Sequence, residues 1–172
     1  LPMTGSPVLV RSYWTKEISG TVTYNNAANT PLPNVTVSLN GGAATAITDA
    51  TGNYKFNYVW KGNYSMTVSG NPFAFGGINS TDALQIKRHA IGIITLTGLK
   101  LAAADVNLSA SVNSSDALLV SRRAVGIPVP TWTLQDWIYE SFNLSVSTSN
   151  ISQNVLGLCS GDVNGSYNPA SK

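Results

Sequence analysis

Apolar and polar residues alternate through the first third of the chain, between residues 17 and 70. Five segments show this alternation, and Asn- and Gly-rich turn signals separate each one from the next. A period of two is typical of half-buried β-strands, so each segment predicts a strand. The predicted strands are 18–24, 35–39, 44–48, 54–59 and 64–69. Together they predict an all-β sandwich over 17–70.

An internal repeat follows the predicted strands. Residues 77–93 recur 34 positions later as residues 111–127, with nine of 17 positions identical. A repeat this close indicates that one loop–helix unit is used twice, over residues 71–130. Residues 131–172 return to short alternating segments and predict a β extension. The expected fold class is therefore α+β, and mostly β.

The second copy of the repeat carries oxygen atoms at the spacing of a calcium loop. EF-type loops bind calcium through positions 1, 3, 5, 7, 9 and 12. These positions are Asp105, Asn107, Ser109, Ser111 (through its backbone carbonyl), Asn113 and Asp116. Position 6 is Ala110, where the sharp turn prefers glycine. Two interpretations stay open here, a calcium loop and a polar helix-capping loop without metal.

The first copy holds only the second half of such a loop. Asn79 and Asp82 occupy positions 9 and 12, but phenylalanines stand at positions 3 and 5. The missing half is present at the C-terminus, where Asp162, Asn164 and Ser166 have the spacing of positions 1, 3 and 5. We predict that this tail folds back and completes a second Ca²⁺ site. The alternative is a separate, solvated tail.

These residues carry a family resemblance. The pattern D-x-N…V-N-x-x-D-A-L-L-x-x-x-R-x-x-x-G resembles the duplicated calcium-binding unit of type I dockerins. The resemblance implies a cohesin-type partner, contacted through loop positions 10 and 11 and a basic pair on the following helix. In the first copy those positions are Ser80, Thr81, Lys87 and Arg88, and in the second copy Ser114, Ser115, Ser121 and Arg122.

The segment before the repeats has a resemblance of its own. The order I-S-G-T-V…L-P-N-V-T-V-S-L…T-D-A-T-G-N-Y-K-F…G-N-Y-S-M-T-V is similar to carboxypeptidase regulatory-like (transthyretin-like) domains. It implies an Ig- or transthyretin-like sandwich that is accessory and carries no chemistry.

The predicted sandwich is short, because independent sandwiches usually have about seven strands. Two segments could cover its open edges, residues 141–158 and the N-terminal arm, residues 1–16. In an extended arm Val8, Val10 and Trp14 would share one face. The arm could lie on its own domain, lead from an upstream domain, or insert into a neighbouring copy as a donated strand.

Composition points to an extracellular or cell-surface protein. Charged residues make up 10% of the chain, and Ser, Thr and Asn replace them. Eight Asn-x-Ser/Thr triplets occur, of which four fall in the predicted loops. The other four asparagines are glycosylation candidates: Asn34, Asn63, Asn143 and Asn150. A net charge of +2 is too weak for nucleic acid binding, and no apolar run is long enough to span a membrane.

No constellation of catalytic residues is found in the sequence, so we expect no enzyme activity. Three functions remain. The first is a calcium-stabilised structural or adhesive subunit that assembles with copies of itself, head to tail, into an extracellular filament through the arm. The second is a module that docks a secreted protein to a cohesin-type receptor. The third is a glycan-binding accessory module that uses Trp14, Trp60, Trp132 or Trp137 as a stacking platform.

Overall fold

Nine strands and three helices form the part of the chain that the computed structural model describes, residues 14–171. The strands are β1 (Thr15–Tyr24), β2 (Thr36–Leu39), β3 (Ala44–Ile47), β4 (Asn53–Trp60), β5 (Gly62–Ser69), β6 (Trp137–Tyr139), β7 (Phe142–Val146), β8 (Ile151–Ser152) and β9 (Val155–Cys159). The helices are α1 (Ser80–Ala90), α2 (Gly98–Ala104) and α3 (Ser114–Ala124). Single 3-10 turns lie at Asn40–Gly42 and Pro169–Ser171.

The strands form two sheets. The first has the order β4-β1-β9-β6, with β8 also pairing with β1. The second has the order β3-β2-β5-β7. All five strands predicted between residues 17 and 70 are present, and the mixed, mostly β fold class is confirmed.

The C-terminal strands are integral to both sheets. β7 pairs antiparallel with β5, and β9 runs parallel to β1 and antiparallel to β6. The sandwich is therefore discontinuous in sequence, and residues 137–159 belong to it rather than to a separate extension. Thr15 and Lys16, assigned from the sequence to the arm, begin β1 and pair with β4. Residues 1–13, with Val8 and Val10, lie outside the described residues.

The core runs without interruption from the sandwich into the helices. Ile18, Val22 and Tyr24 on β1 are fully buried, as are Ile86 on α1 and Val120 on α3. Because apolar residues recur on one face of each helix, α1 and α3 pack against each other through that face. The two copies of the repeat thus form a helix pair, and this pair positions the two loops that precede its helices.

The same capping arrangement starts both repeated helices. Asn79 caps α1 and Asn113 caps α3, and in each case the carboxylate three residues later accepts a hydrogen bond from the cap backbone. Such reciprocal capping satisfies two N–H groups that a helix start would leave unpaired. None of the helices within residues 14–171 has the length and apolar character needed to cross a bilayer.

Candidate metal sites and interaction face

The contiguous loop between α2 and α3 is closed by backbone hydrogen bonds to its polar side chains. The carboxylate of Asp105 accepts from Ser109 N (2.9 Å, at Oδ1) and from Ala110 N (2.9 Å, at Oδ2). The amide oxygen of Asn107 also accepts from Ser109 N, at 3.0 Å. Ala110 adopts φ 64°, a left-handed conformation that glycine would adopt without strain. The side chains at positions 1 and 3 therefore curl the backbone around a common centre.

Asp116 at position 12 closes the other side of this loop. Its side chain is fully buried, with Oδ1 accepting from Val106 N (3.1 Å) and Oδ2 accepting from Asn113 N (3.0 Å). Asn113 in turn donates through Nδ2 to the carbonyl of Ser111, at 3.2 Å. Hydrogen bonds thus connect the six predicted ligand positions of the second loop to one another or to the backbone of the same loop.

The C-terminal tail makes the same contacts with the first repeat. Asp162 Oδ1 accepts from Ser166 N at 3.1 Å, and Asn164 Oδ1 accepts from the same N–H at 2.7 Å. Across the chain, Asn164 N donates to Asp82 Oδ1 at 3.0 Å, and Asn79 Nδ2 donates to Ser166 Oγ at 3.1 Å. The structure therefore brings together all five residues that the sequence assigned to this split loop.

Two further residues of the split loop were missed in the sequence, although a signal for each was present: Tyr167 follows from the loop spacing counted from Asp162, and Gly77 from the repeat. Tyr167 N donates to Asp162 Oδ2 at 3.2 Å, as Ala110 N does to Asp105, so Tyr167 stands at position 6. Gly77 aligns with Ser111 in the repeat, and its carbonyl accepts from Asn79 Nδ2 at 3.0 Å. Gly77 therefore stands at position 7, where a loop of this type offers its backbone oxygen.

Only glycine fits where the two halves of the split loop meet. Gly77 has φ 91°, and an added Cβ would lie 2.5 Å from Tyr167 Cβ and 2.6 Å from Asp162 Oδ2. Both distances are far below van der Waals contact. A side chain at this position would push the tail out of the loop.

A tyrosine of the sandwich holds the tail from the opposite side. Tyr24 Oη donates to Asp162 Oδ2 at 2.6 Å and accepts from Cys159 N at 3.1 Å. Burial raises the pKa of Tyr24, and the neighbouring Asp162 raises that pKa further, so the phenol stays a neutral donor. Tyr24 lies 138 residues from Asp162 and belongs to no motif, so no sequence pattern predicts this contact.

Three carboxylates of the two loops are buried without a basic partner. Asp82, Asp116 and Asp162 are fully buried, whereas the two salt bridges found within residues 14–171 are Lys55–Glu17 and Arg123–Asp136. The pKa of Asp82 is raised to about 6. Burial is the largest cause, and the neighbouring Asp162 adds to it, while the backbone N–H donors of Asn164 and Asn79 oppose the shift. Buried carboxylates that share a site are costly unless a cation or proton compensates them.

The donor chemistry of both loops fits calcium. Each loop offers two carboxylates, together with amide, hydroxyl and backbone carbonyl oxygens, which are the ligands of a hard cation. Within the described part of the chain, no group of three or more His, Cys, Asp or Glu side chains is placed to hold a metal ion. In both loops, the residues present suit Ca²⁺.

The residues predicted to contact a partner lie on the surface of α1. Ser80, Thr81, Lys87 and Arg88 are all exposed. Apolar residues are exposed beside them at matching positions of the two repeats: Leu84 and Leu118, and Ile91 and Val125. The helix pair therefore presents a mixed basic and apolar face.

The glycosylation candidates and the tryptophans differ in exposure. Asn34, Asn63, Asn143 and Asn150 are exposed. Trp137 is buried in the core and Trp132 is half-buried beneath the guanidinium of Arg123. Trp14 and Trp60 are exposed near each other, at the paired ends of β1 and β4.

Comparison with known families agrees with this architecture. Residues 17–78 match the family model of the carboxypeptidase regulatory-like domain, and residues 76–123 match that of the dockerin type I domain. A search of the curated proteins found no match. Both resemblances noted in the sequence are thus confirmed, in the expected order.

Both matched domains are non-catalytic modules, and dockerin modules occur in secreted or cell-surface cellulosome components. The chain is thus similar to carboxypeptidase regulatory-like domains in its first part and, after that, to type I dockerin domains, which are calcium-binding modules for protein–protein interaction.

Proposed function

We propose that this chain is a secreted, non-catalytic structural or adhesive subunit that two calcium ions stabilise and that assembles with copies of itself. Its calcium ligands would be Asp105, Asn107, Ser109, Ser111, Asn113 and Asp116 in the second loop, and Asp162, Asn164, Ser166, Asn79 and Asp82 in the split loop. The split loop is the observation that carries the proposal.

A calcium ion in the split loop would be bound by residues that are far apart in sequence, and it would therefore link distant parts of the chain. The dockerin match begins at residue 76 and so leaves out the front half of the first loop, which the tail replaces. Closing the chain between Asp82 and Asp162 would lower the entropy of the unfolded state, and calcium would add binding energy to the native state alone. Because Tyr24 holds Asp162, this tie also joins the sandwich to the helices.

Calcium stoichiometry tests this part of the proposal. Isothermal titration should count two ions for the full chain and one for Asp162→Asn, in which position 1 of the split loop loses its charge. Asp105→Asn is the matched variant in the other loop and should also leave one ion. Deleting residues 160–172 should leave one, since β9 ends at Cys159 and stays whole. Two ions bound by the deletion variant would refute the split site.

The self-assembly rests on the open edges of the sandwich and on the apolar arm. Among the strands of residues 14–171, β3 is the last of its sheet, and an edge without a neighbouring strand invites pairing with another chain. Electron microscopy in millimolar calcium should show filaments of the full chain and dispersed particles after deletion of residues 1–13. Dispersed particles in both samples would refute self-assembly through the arm.

A second candidate function is docking to a cohesin-type receptor, favoured by the exposed face of α1. Ser80, Thr81, Lys87 and Arg88 surround the exposed Leu84 on this face. Lys87→Glu combined with Arg88→Glu should abolish binding to a cohesin without changing calcium stoichiometry. Unchanged binding would exclude this face as the docking surface.

A further inference from the structure

The two calcium loops differ in how much of the molecule holds them. The predicted ligands of the contiguous loop lie within residues 105–116, and the hydrogen bonds described above for this loop join residues of that range. The split loop receives an additional donor from outside both of its halves, the hydroxyl of Tyr24 on β1. The contiguous loop therefore depends on local contacts, whereas the split loop also depends on the sandwich.

Tyr24 contacts the split loop through one oxygen atom that makes two hydrogen bonds. Its Oη donates to Asp162 Oδ2 at 2.6 Å and accepts from Cys159 N at 3.1 Å. The backbone N–H of Asp162 donates in turn to the carbonyl of Cys159, at 3.2 Å. The hydroxyl thus holds both ends of the turn from Cys159 to Asp162, and this turn carries position 1 of the split loop.

The other contacts of the Asp162 carboxylate repeat those of the contiguous loop. Oδ2 also accepts from Tyr167 N at 3.2 Å, and Oδ1 accepts from Ser166 N at 3.1 Å. Asp105, at position 1 of the contiguous loop, accepts from the backbone N–H groups of the same two loop positions. Among the described residues, the hydroxyl of Tyr24 is therefore the hydrogen bond that distinguishes the two carboxylates.

The core of the sandwich fixes the position of this hydroxyl. Tyr24 is fully buried, and it pairs with Gly157 where β1 runs beside β9. Its ring meets the rings of Trp137 and Tyr167 edge to face, with centroids 5.7 Å apart in both cases. Because close packing holds the ring, the sandwich decides where the hydroxyl lies.

We propose that Tyr24 is a positioning residue of the split calcium site, and that the sandwich sets the calcium affinity of this site through it. This inference rests on the two calcium loops proposed above and names how one of them is controlled. Groups that hydrogen-bond to a metal ligand orient it, and their loss typically lowers metal affinity about 10–100-fold. The split loop would reach its full affinity only with the sandwich folded, whereas the contiguous loop would not require it.

The hydroxyl has two opposing effects on calcium affinity. As a donor it partly compensates the charge of Asp162, which by itself would weaken the binding of a cation. As a fixed contact it keeps the carboxylate and its turn in place, which strengthens binding. The second effect is the larger, because Tyr167 N also compensates Oδ2, whereas loss of the hydroxyl leaves buried Cys159 N without this acceptor and releases the turn.

Calcium titration of a single-site chain tests the role of Tyr24. Asp105→Asn disables the contiguous loop, so that isothermal titration with calcium chloride reports on the split loop alone. In this background Tyr24→Phe should raise Kd about 10–100-fold. Tyr54→Phe is the matched control and should leave Kd unchanged, because Tyr54 is a buried tyrosine of the same sandwich whose hydroxyl donates to Gln153 O, at 2.6 Å, and to neither loop.

Two further measurements separate positioning from a general loss of stability. Asp162→Asn disables the split loop, and in that background Tyr24→Phe should leave the Kd of the contiguous loop unchanged. Replacing Tyr24 by 4-aminophenylalanine keeps a donor at the place of the hydroxyl and should restore most of the affinity in the Asp105→Asn chain. Far-UV circular dichroism of each variant verifies that its strands and helices are formed.

Each contrary result has a distinct meaning. An Asp105→Asn chain that binds no calcium would overturn the split site itself. The same Kd for Tyr24→Phe and Tyr54→Phe would overturn the positioning role and leave the split site standing. A rise in Kd at both loops, or no recovery with 4-aminophenylalanine, would show that the substitution loosens the fold in general and would also overturn the inference.

Discussion

Replacing Gly77 with alanine would test the split calcium loop with a single methyl group. Its Cβ would lie 2.5 Å from Tyr167 Cβ and 2.6 Å from Asp162 Oδ2, so the tail could not stay in place. Gly92 offers a matched control. It also has a positive φ, 75°, but an added Cβ there meets nothing within 4 Å. The difference between the two variants isolates the steric effect on the tail from backbone strain.

The expected difference in stability between Gly77→Ala and Gly92→Ala follows from two contributions to the free energy of unfolding. Alanine in a left-handed conformation costs about 1–2 kcal/mol, which both variants share. Gly77→Ala should also lose the calcium ion of the split loop, and this ion contributes about 2.7 kcal/mol when free calcium exceeds Kd a hundredfold. For a chain of this length 1 kcal/mol corresponds to about 2–4 °C in Tm, so Gly77→Ala should melt about 5–11 °C below Gly92→Ala.

Calorimetric melting of both variants with and without calcium measures this difference. In saturating calcium the Tm values of the two variants should differ by this amount, and in excess EDTA, where neither variant holds an ion, the calcium contribution to the difference should vanish. Isothermal titration should count one ion for Gly77→Ala and two for Gly92→Ala. If Gly77→Ala bound two ions with the affinities of the unmodified chain, the tail would not be part of the first site.

Three further predictions concern the unmodified chain and two residues that link its parts, Tyr24 and Arg123. Excess EDTA should lower the Tm of the unmodified chain by several degrees, because calcium binds the native state alone, and an unchanged Tm would argue against both sites. Tyr24→Phe removes the hydroxyl that donates to buried Asp162, so the free energy of unfolding should fall by about 1.5–3 kcal/mol, with the calcium loop of residues 105–116 unaffected. A variant as stable as the original in denaturant would show that this bond contributes nothing. Arg123 lies 4.0 Å from the ring centroid of Phe75 and 4.3 Å from that of Trp132, and Arg123→Ala should cost about 1–3 kcal/mol. Exposed Arg122→Ala is its control and should unfold at the same denaturant concentration as the unmodified chain.

The sequence by itself predicted the local elements and the loop chemistry. Alternation with period two is imposed by strand geometry, so the five strands of residues 17–70 could be read directly. The repeat and the helix caps likewise depend on residues close together in sequence, as Asn113 and Asp116 do. α2 was missed, because its seven residues are too short to show a helical period.

The tertiary structure decided how distant segments combine. The repeat alone predicted that the tail supplies Asp162, Asn164 and Ser166, but only the fold places Tyr24 on Asp162 and inserts β9 between β1 and β6. Edge pairing uses backbone groups that every residue carries, so no side-chain pattern specifies which strands become neighbours. The same holds for the cavity beside β3. Ala44 and Ala46 leave space next to the core, and this space becomes apparent only in the fold, where β4 lies across from them. Local periodicity thus determined the parts of this protein, and packing among residues far apart in sequence determined its sites.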